Sequence, residues 1–190
     1  LALKKDPNYA PAYAGVAFVW IHRQQMGYTA PREAGPKAKA AALKAVELDS
    51  ALAEAHLSLA SVHWVCEWDW AGAEVEFKRA IELNPNYPDA RAFYSNYLAS
   101  MKRPEEAMAQ IQRALELDPF NAFWVFCHGA TLEWAGRYDE AIVQFRKVLR
   151  TSPNPSVHWE LSGILFRKAM YEESLAEMKA YYAGDREMEE

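Results

Sequence analysis

The chain has 190 residues, 51% of them hydrophobic and 25% charged, a balance that lets it bury a core and excludes disorder for its bulk. Lys and Arg number 21 against 26 Asp and Glu, a formal net charge of -5, and the basic residues stand singly, so no nucleic-acid partner is expected of this segment. Polar residues interrupt every apolar stretch before the ~18 residues that a bilayer crossing needs, and Cys66 and Cys127 are too few and too distant for a disulfide framework; a soluble chain in a reducing, cytoplasmic setting with no membrane contact is the expectation.

Taken in chain order, one phrase keeps returning: Ala2-Leu3-Lys4-Lys5-Asp6-Pro7, Ala45-Val46-Glu47-Leu48-Asp49-Ser50, Ala80-Ile81-Glu82-Leu83-Asn84-Pro85, Ala114-Leu115-Glu116-Leu117-Asp118-Pro119 and Val148-Leu149-Arg150-Thr151-Ser152-Pro153. Each copy reads as a helix end. Ala and Leu continue an apolar stripe, and proline then disfavours helical geometry in the residue before it and offers no backbone donor. The equivalent positions are 7, 50, 85, 119 and 153. After one longer first step they advance by about 34 residues at a time, a period of helix-pair repeats. The stretch 1–9 is thus the tail of an incomplete repeat, with an upstream segment expected, followed by repeats at 10–52, 53–87, 88–121, 122–155 and 156–184 and an acidic tail at 185–190 that either caps the stack or is disordered.

Within the repeats a small residue, a bulky one four on and a small one three further share a helical face: Ala73, Phe77, Ala80; Ala107, Ile111, Ala114; Ala141, Phe145, Val148. Upstream of each lies a second apolar-periodic stretch, such as Trp124 to Trp134, and then a turn, with Gly136 suited to a helix C-terminal cap and Pro104 to a helix start. Each unit is therefore helix, turn, helix. The first carries nine residues beyond the period, around Met26 to Pro36, giving longer helices or a projecting loop; the second has one extra residue near Cys66-Glu67-Trp68, and the last is one short, placed by counting before Tyr171.

The chain resembles the tetratricopeptide-repeat family over nearly its whole length, most clearly from Ala122 to Pro153, where Gly129, Leu132, Tyr138, Ala141 and Phe145 occupy family slots. The segment from Trp68 to Phe77 is similar to repeats of bacterial multidomain regulators, in which such arrays follow a winged-helix or protein-kinase domain. The resemblance implies an all-α fold, a right-handed superhelical solenoid of antiparallel helix pairs. It also implies a protein-interaction scaffold that binds a peptide or helix of a partner protein in a concave groove, as a module of a larger regulatory protein, and that is not an enzyme. Self-association through the open repeat edge, giving a homodimer, or a spacer between flanking domains is the alternative.

The same resemblance places the groove on the first helix of each repeat. Its slots fall at Ala14, Phe18 and Ile21; Leu57, Ser61 and Trp64; Ala92, Asn96 and Ala99; Phe126, Ala130 and Glu133; and Glu160, Ile164 and Arg167, with Phe123 and Trp134 at the border. Phe18, Trp64 and Phe126 are the candidate anchors, and the Asn96 amide can serve a peptide backbone as donor and acceptor. Family members that clamp a C-terminal carboxylate use lysines and asparagines in these slots, which here hold mostly Ser, Ala, Phe and Glu, so that role is disfavoured.

Chemistry finds little foothold. His56, His63 and Cys66 share helical spacing, yet no fourth ligand at metal distance follows, and packing is their expected role. Cys127 and His128 are neighbours on a helix and point about 100° apart, so they cannot act as nucleophile and base. The eight glycines are dispersed, with no phosphate-binding loop; no catalytic residue, metal or cofactor is expected.

Overall fold

The computed structural model describes residues 2–151 and 155–187, with side chains to residue 183. A single turn, α1 (Ala2–Lys5), precedes five successive helix pairs: α2 (Ala10–Gln25) and α3 (Pro31–Leu48); α4 (Ala53–Val62) and α5 (Trp70–Leu83); α6 (Pro88–Ser100) and α7 (Pro104–Leu117); α8 (Ala122–Trp134) and α9 (Tyr138–Thr151); α10 (Pro155–Arg167) and α11 (Tyr171–Glu187). The fold is all-α, with no strand among the described residues. Contacts divide the chain into two compact units, 1–94 and 95–190; Tyr94 and Ser95 are neighbours within α6.

The helices stop where the sequence says they should. α3, α5 and α7 end at Leu48, Leu83 and Leu117, and the following Asp49, Asn84 and Asp118 leave helical geometry. Ser152 and Pro153, the last such signal, lie outside the described residues, as does Leu1. Of the acidic tail, 185–187 continue α11 and 188–190 lie outside the described residues.

Insertions are absorbed without breaking a helix pair. Against the 13 and 14 residues of α6 and α7, α2 has 16 and α3 has 18, and the turn between them has five residues, 26–30; the surplus is mainly longer helix. In the second repeat α4 continues into one wide π-helical turn, His63–Glu67, which takes up the extra residue. In the last repeat α10 is as long as α8, and its turn, 168–170, matches the turn 135–137 of the fourth. The missing residue is therefore not in the turn next to Tyr171; the sequence is one residue short between Thr151 and Pro155.

Each turn closes on a residue in the left-handed region: Gly27 (φ 74°), Trp68 (60°), Lys102 (58°), Gly136 (73°) and Ala169 (60°). In the last three the next amide donates to a carbonyl five residues back, Arg103 to Leu98, Arg137 to Leu132 and Met170 to Leu165, at 2.9–3.0 Å, satisfying groups that a helix end leaves open. Arg103 with Glu106, and Arg137 with Glu140, add the same forked ion pair over the next helix start.

The core follows the predicted marks: Ala73, Phe77, Ala80, Ala107, Ile111, Ala114, Ala141, Phe145 and Val148 are all buried. In the first unit the alanines of α3, Ala38, Ala41 and Ala42, let α2 and α4 come close, with Ile21, Leu59 and Val62 filling the seam. In the second, Val125 and Leu132 of α8 meet Ile142 and Phe145 of α9 and Val157, Leu161, Ile164 and Leu165 of α10.

Candidate functional site

The second unit contains a concavity whose walls come from α8 and α10. Asn121 fixes the start of α8 by accepting from the amides of Phe123 (3.1 Å) and Trp124 (3.4 Å), and Gly129 lets the helix settle on the Phe145 ring. That packing faces Val125 and Leu132 inward and leaves Phe123, Phe126, Ala130, Glu133 and Trp134 on another side. α10 likewise buries Val157, Leu161 and Leu165 and leaves Trp159, Gly163, Phe166 and Arg167 outside.

Ala130, Glu133, Trp134, Tyr138, Glu160 and Arg167 enclose a hollow of about 440 Å³. A second hollow, about 320 Å³, shares Glu133, Glu160 and Arg167 and is lined further by Trp159, Gly163 and Phe166. The rim is aromatic, with Trp134, Trp159 and Phe166 each more than half exposed, while the floor is charged. Arg167 donates to the nearly enclosed Glu133 carboxylate, which raises the arginine's pKa. Burial first, then the Glu133 charge, pushes the Glu160 carboxyl above its ordinary value, against the pull of Arg167. Beyond the hollow, Phe123 stacks on Phe126 at 6.3 Å, and Phe126 rests on Phe145 at 5.5 Å; Asn96 donates to Cys127 Sγ at 3.4 Å.

In the first unit the corresponding slots are largely consumed by packing. Ala14, Ile21, Leu57, Ser61 and Ala92 are buried, and the Ser61 hydroxyl donates to the Leu57 carbonyl at 2.9 Å. Phe18 and Trp64 are half-buried, the first against Phe93 at 5.6 Å and the second edge-on to Phe77 at 6.3 Å.

A tetratricopeptide-repeat family model matches residues 68–124, a span that includes the left-handed turn closers Trp68 and Lys102, one repeat period apart. Residues 68–124 are tetratricopeptide repeat. Among solved structures, the tetratricopeptide-repeat protein TTC0263 of Thermus thermophilus superimposes with a TM-score of 0.76 at 16% identity, over 93% of this chain and 94% of that one. YrrB, described as a tetratricopeptide-repeat protein with an unusual peptide-binding site, gives 0.59 at 23% identity, over 95% and 88%. By sequence, the chain is 31% identical over 137 residues to the transcriptional regulator HilA of Salmonella typhimurium, covering 72% of this chain and 24% of HilA. It thus spans about a quarter of the length of the curated relatives it matches. The tetratricopeptide fold is that of a protein-interaction scaffold, and no described helix is long and apolar enough to cross a membrane.

In a tetratricopeptide repeat the small residue of the first helix fixes its register, and here that slot holds Ala17, Ala60, Ser95, Gly129 and Ser162, all buried. The last step is one residue shorter than the step before it, because the shortfall precedes α10. The positions of the fifth repeat equivalent to Phe126, Ala130 and Glu133 of the fourth are therefore Trp159, Gly163 and Phe166, one residue before the Glu160, Ile164 and Arg167 reached when the missing residue is placed before Tyr171. Ile164 is fully buried and offers no contact surface, whereas Glu160 and Arg167 still reach the hollow from adjoining positions. Counting from Ser162, the small residue between Leu161 and the buried Ile164–Leu165 pair, gives the right register.

The residues with chemical potential are engaged elsewhere. His56 sits with Nδ1 2.5 Å from Glu76 Oε2 and Nε2 3.0 Å from the Ser50 carbonyl, and Cys66 donates to Gln24 at 3.6 Å. His63 has Glu67 at 2.9 Å across the π turn, and among the described residues no three His, Cys, Asp or Glu side chains gather as a metal site would need. Burial pushes the Cys127 thiol up to about 11 against the hydrogen bond from Asn96, and burial lowers the pKa of His128.

Proposed function

We propose that this chain is the interaction module of a larger regulatory protein and that its second unit captures a peptide segment of a partner in the hollow between α8 and α10. The observation that carries the reading is the exposed rings of Trp134, Trp159 and Phe166 around two hollows that share the charged side chains of Glu133, Glu160 and Arg167. Such rings supply contact area with few rotors to immobilise, the property of binding hot spots. The similarity to a transcriptional regulator over part of its length and to a tetratricopeptide protein with a peptide-binding site supports the same reading.

Gly163 gives a direct test, because nothing lies within 4 Å of a Cβ built there. Gly163→Leu is therefore expected to occupy the second hollow, which Gly163 lines, and leucine is the better helix former. Random-sequence peptides selected on the whole chain are expected to lose binding to Gly163→Leu, and Trp159→Ala is expected to weaken them by about 2 kcal/mol. Equal binding to all three proteins would place capture elsewhere. Light scattering over a dilution series separates capture from self-association: a constant monomer mass is expected, and a dimer that dissociates on dilution would favour assembly.

A further inference from the structure

Peptide capture as proposed leaves open what the peptide brings to the hollow, and the charges there restrict it. Glu133, Glu160 and Arg167 converge on one cavity, two negative charges against one positive. Arg167 is committed to Glu133, which is itself nearly enclosed. Glu160 is half-buried beside them and makes no hydrogen bond or ion pair with any described residue. This residue lines both hollows, the first together with the exposed indole of Trp134 and the second together with that of Trp159. A carboxylate with no ion-pair partner of its own, in a hollow lined by an exposed indole, is complementary to a cation with an apolar stem: the carboxylate supplies a charge-assisted hydrogen bond and the ring a cation–π contact. An acidic or C-terminal carboxylate would instead meet like charge.

We infer that the second hollow, lined by Trp159, Glu160 and Gly163, receives a lysine or arginine side chain of the captured peptide, with its charge on Glu160 and its stem along Trp159. This rests on the peptide-capture reading, and the experiment keeps the two separable. Random-sequence peptides are selected on the whole chain, and those whose binding is lost in Gly163→Leu are retained and labelled for anisotropy. The retained peptides are expected to share a basic residue, and replacing that residue by glutamine is expected to weaken binding to the wild type by about tenfold. In Glu160→Gln, close in shape, the same replacement should change affinity little, because the counter-charge is already gone. Retained peptides with no basic residue in common, or an equal loss in Glu160→Gln, would overturn this inference and leave peptide capture standing. If no peptide is sensitive to Gly163→Leu, capture itself fails and this inference with it. The peptide-side replacement keeps the outcome decisive even if Glu160→Gln perturbs the fold, which circular dichroism would show.

Discussion

Cys127 lies in the middle of α8 with its thiol almost fully enclosed and its pKa pushed up to about 11, because burial penalises the thiolate more than the Asn96 hydrogen bond favours it. The folded state thus keeps the thiol neutral where the unfolded chain, near 9.0, has begun to ionise it. A raised folded pKa gives stability that is whole below the unfolded value and lost as pH rises towards the folded one, so the window lies between about pH 9 and 11. Urea titrations are expected to show the wild type losing about 2 kcal/mol more than Cys127→Ala across that window, the difference between the two proteins removing the titration of lysines and tyrosines. Parallel pH curves would mean that the thiol is solvated in the folded state. The adjacency of Cys127 and His128 already excluded a catalytic pair on angular grounds; the depth of the thiol was not legible, since it depends on α6 supplying Asn96 from 31 residues away.

Among the elements, the inter-helix turns carry the clearest local strain. All five close through a left-handed residue, but only Gly27 and Gly136 are glycines; Trp68, Lys102 and Ala169 hold φ near 60° with a Cβ in place. That conformation costs an L-residue about 1–2 kcal/mol, offset in part by the larger entropy that glycine loses on folding. Lys102→Gly and Ala169→Gly are each expected to stabilise the chain by about 0.5–1 kcal/mol, read as a rise in the urea midpoint at constant slope. No gain at either site would show that the capping hydrogen bonds, rather than φ, set the energy of these turns. The turns also explain what was readable in advance. The extra residue of the second repeat was legible because the helix ends at Asp49-Ser50 and Asn84-Pro85 bracket it, and the π turn at His63–Glu67 is where it went. The missing residue of the last repeat was not, because either linker can lose one residue without disturbing an apolar face, and only the burial of Ser162 and Ile164 fixes the register of α10. That slip put Glu160, Ile164 and Arg167 at the positions that Trp159, Gly163 and Phe166 occupy relative to α8, and it passed over the exposed rings of Trp159 and Phe166.

At the scale of the molecule, contacts in a repeat chain join mainly successive elements, so stability is set repeat by repeat with coupling between neighbours. Here the contacts partition into units 1–94 and 95–190, and a local lesion tests how far that partition is energetic. A Cβ at Gly129 would stand 2.8 Å from Cε1 of Phe145, a fully buried ring. Gly129→Ala is therefore expected to cost about 1–3 kcal/mol through overpacking, despite the better helix propensity of alanine. Native-state hydrogen exchange should place that loss in α8, α9 and α10, whose buried side chains form one cluster, and leave α2 to α5 at wild-type protection. A uniform loss across all helices would instead show that the chain opens as one cooperative block. A loss confined to the second unit would mean that peptide capture between α8 and α10 tightens its own unit without altering the first, because the free energy that a ligand adds is felt only by the residues that open together.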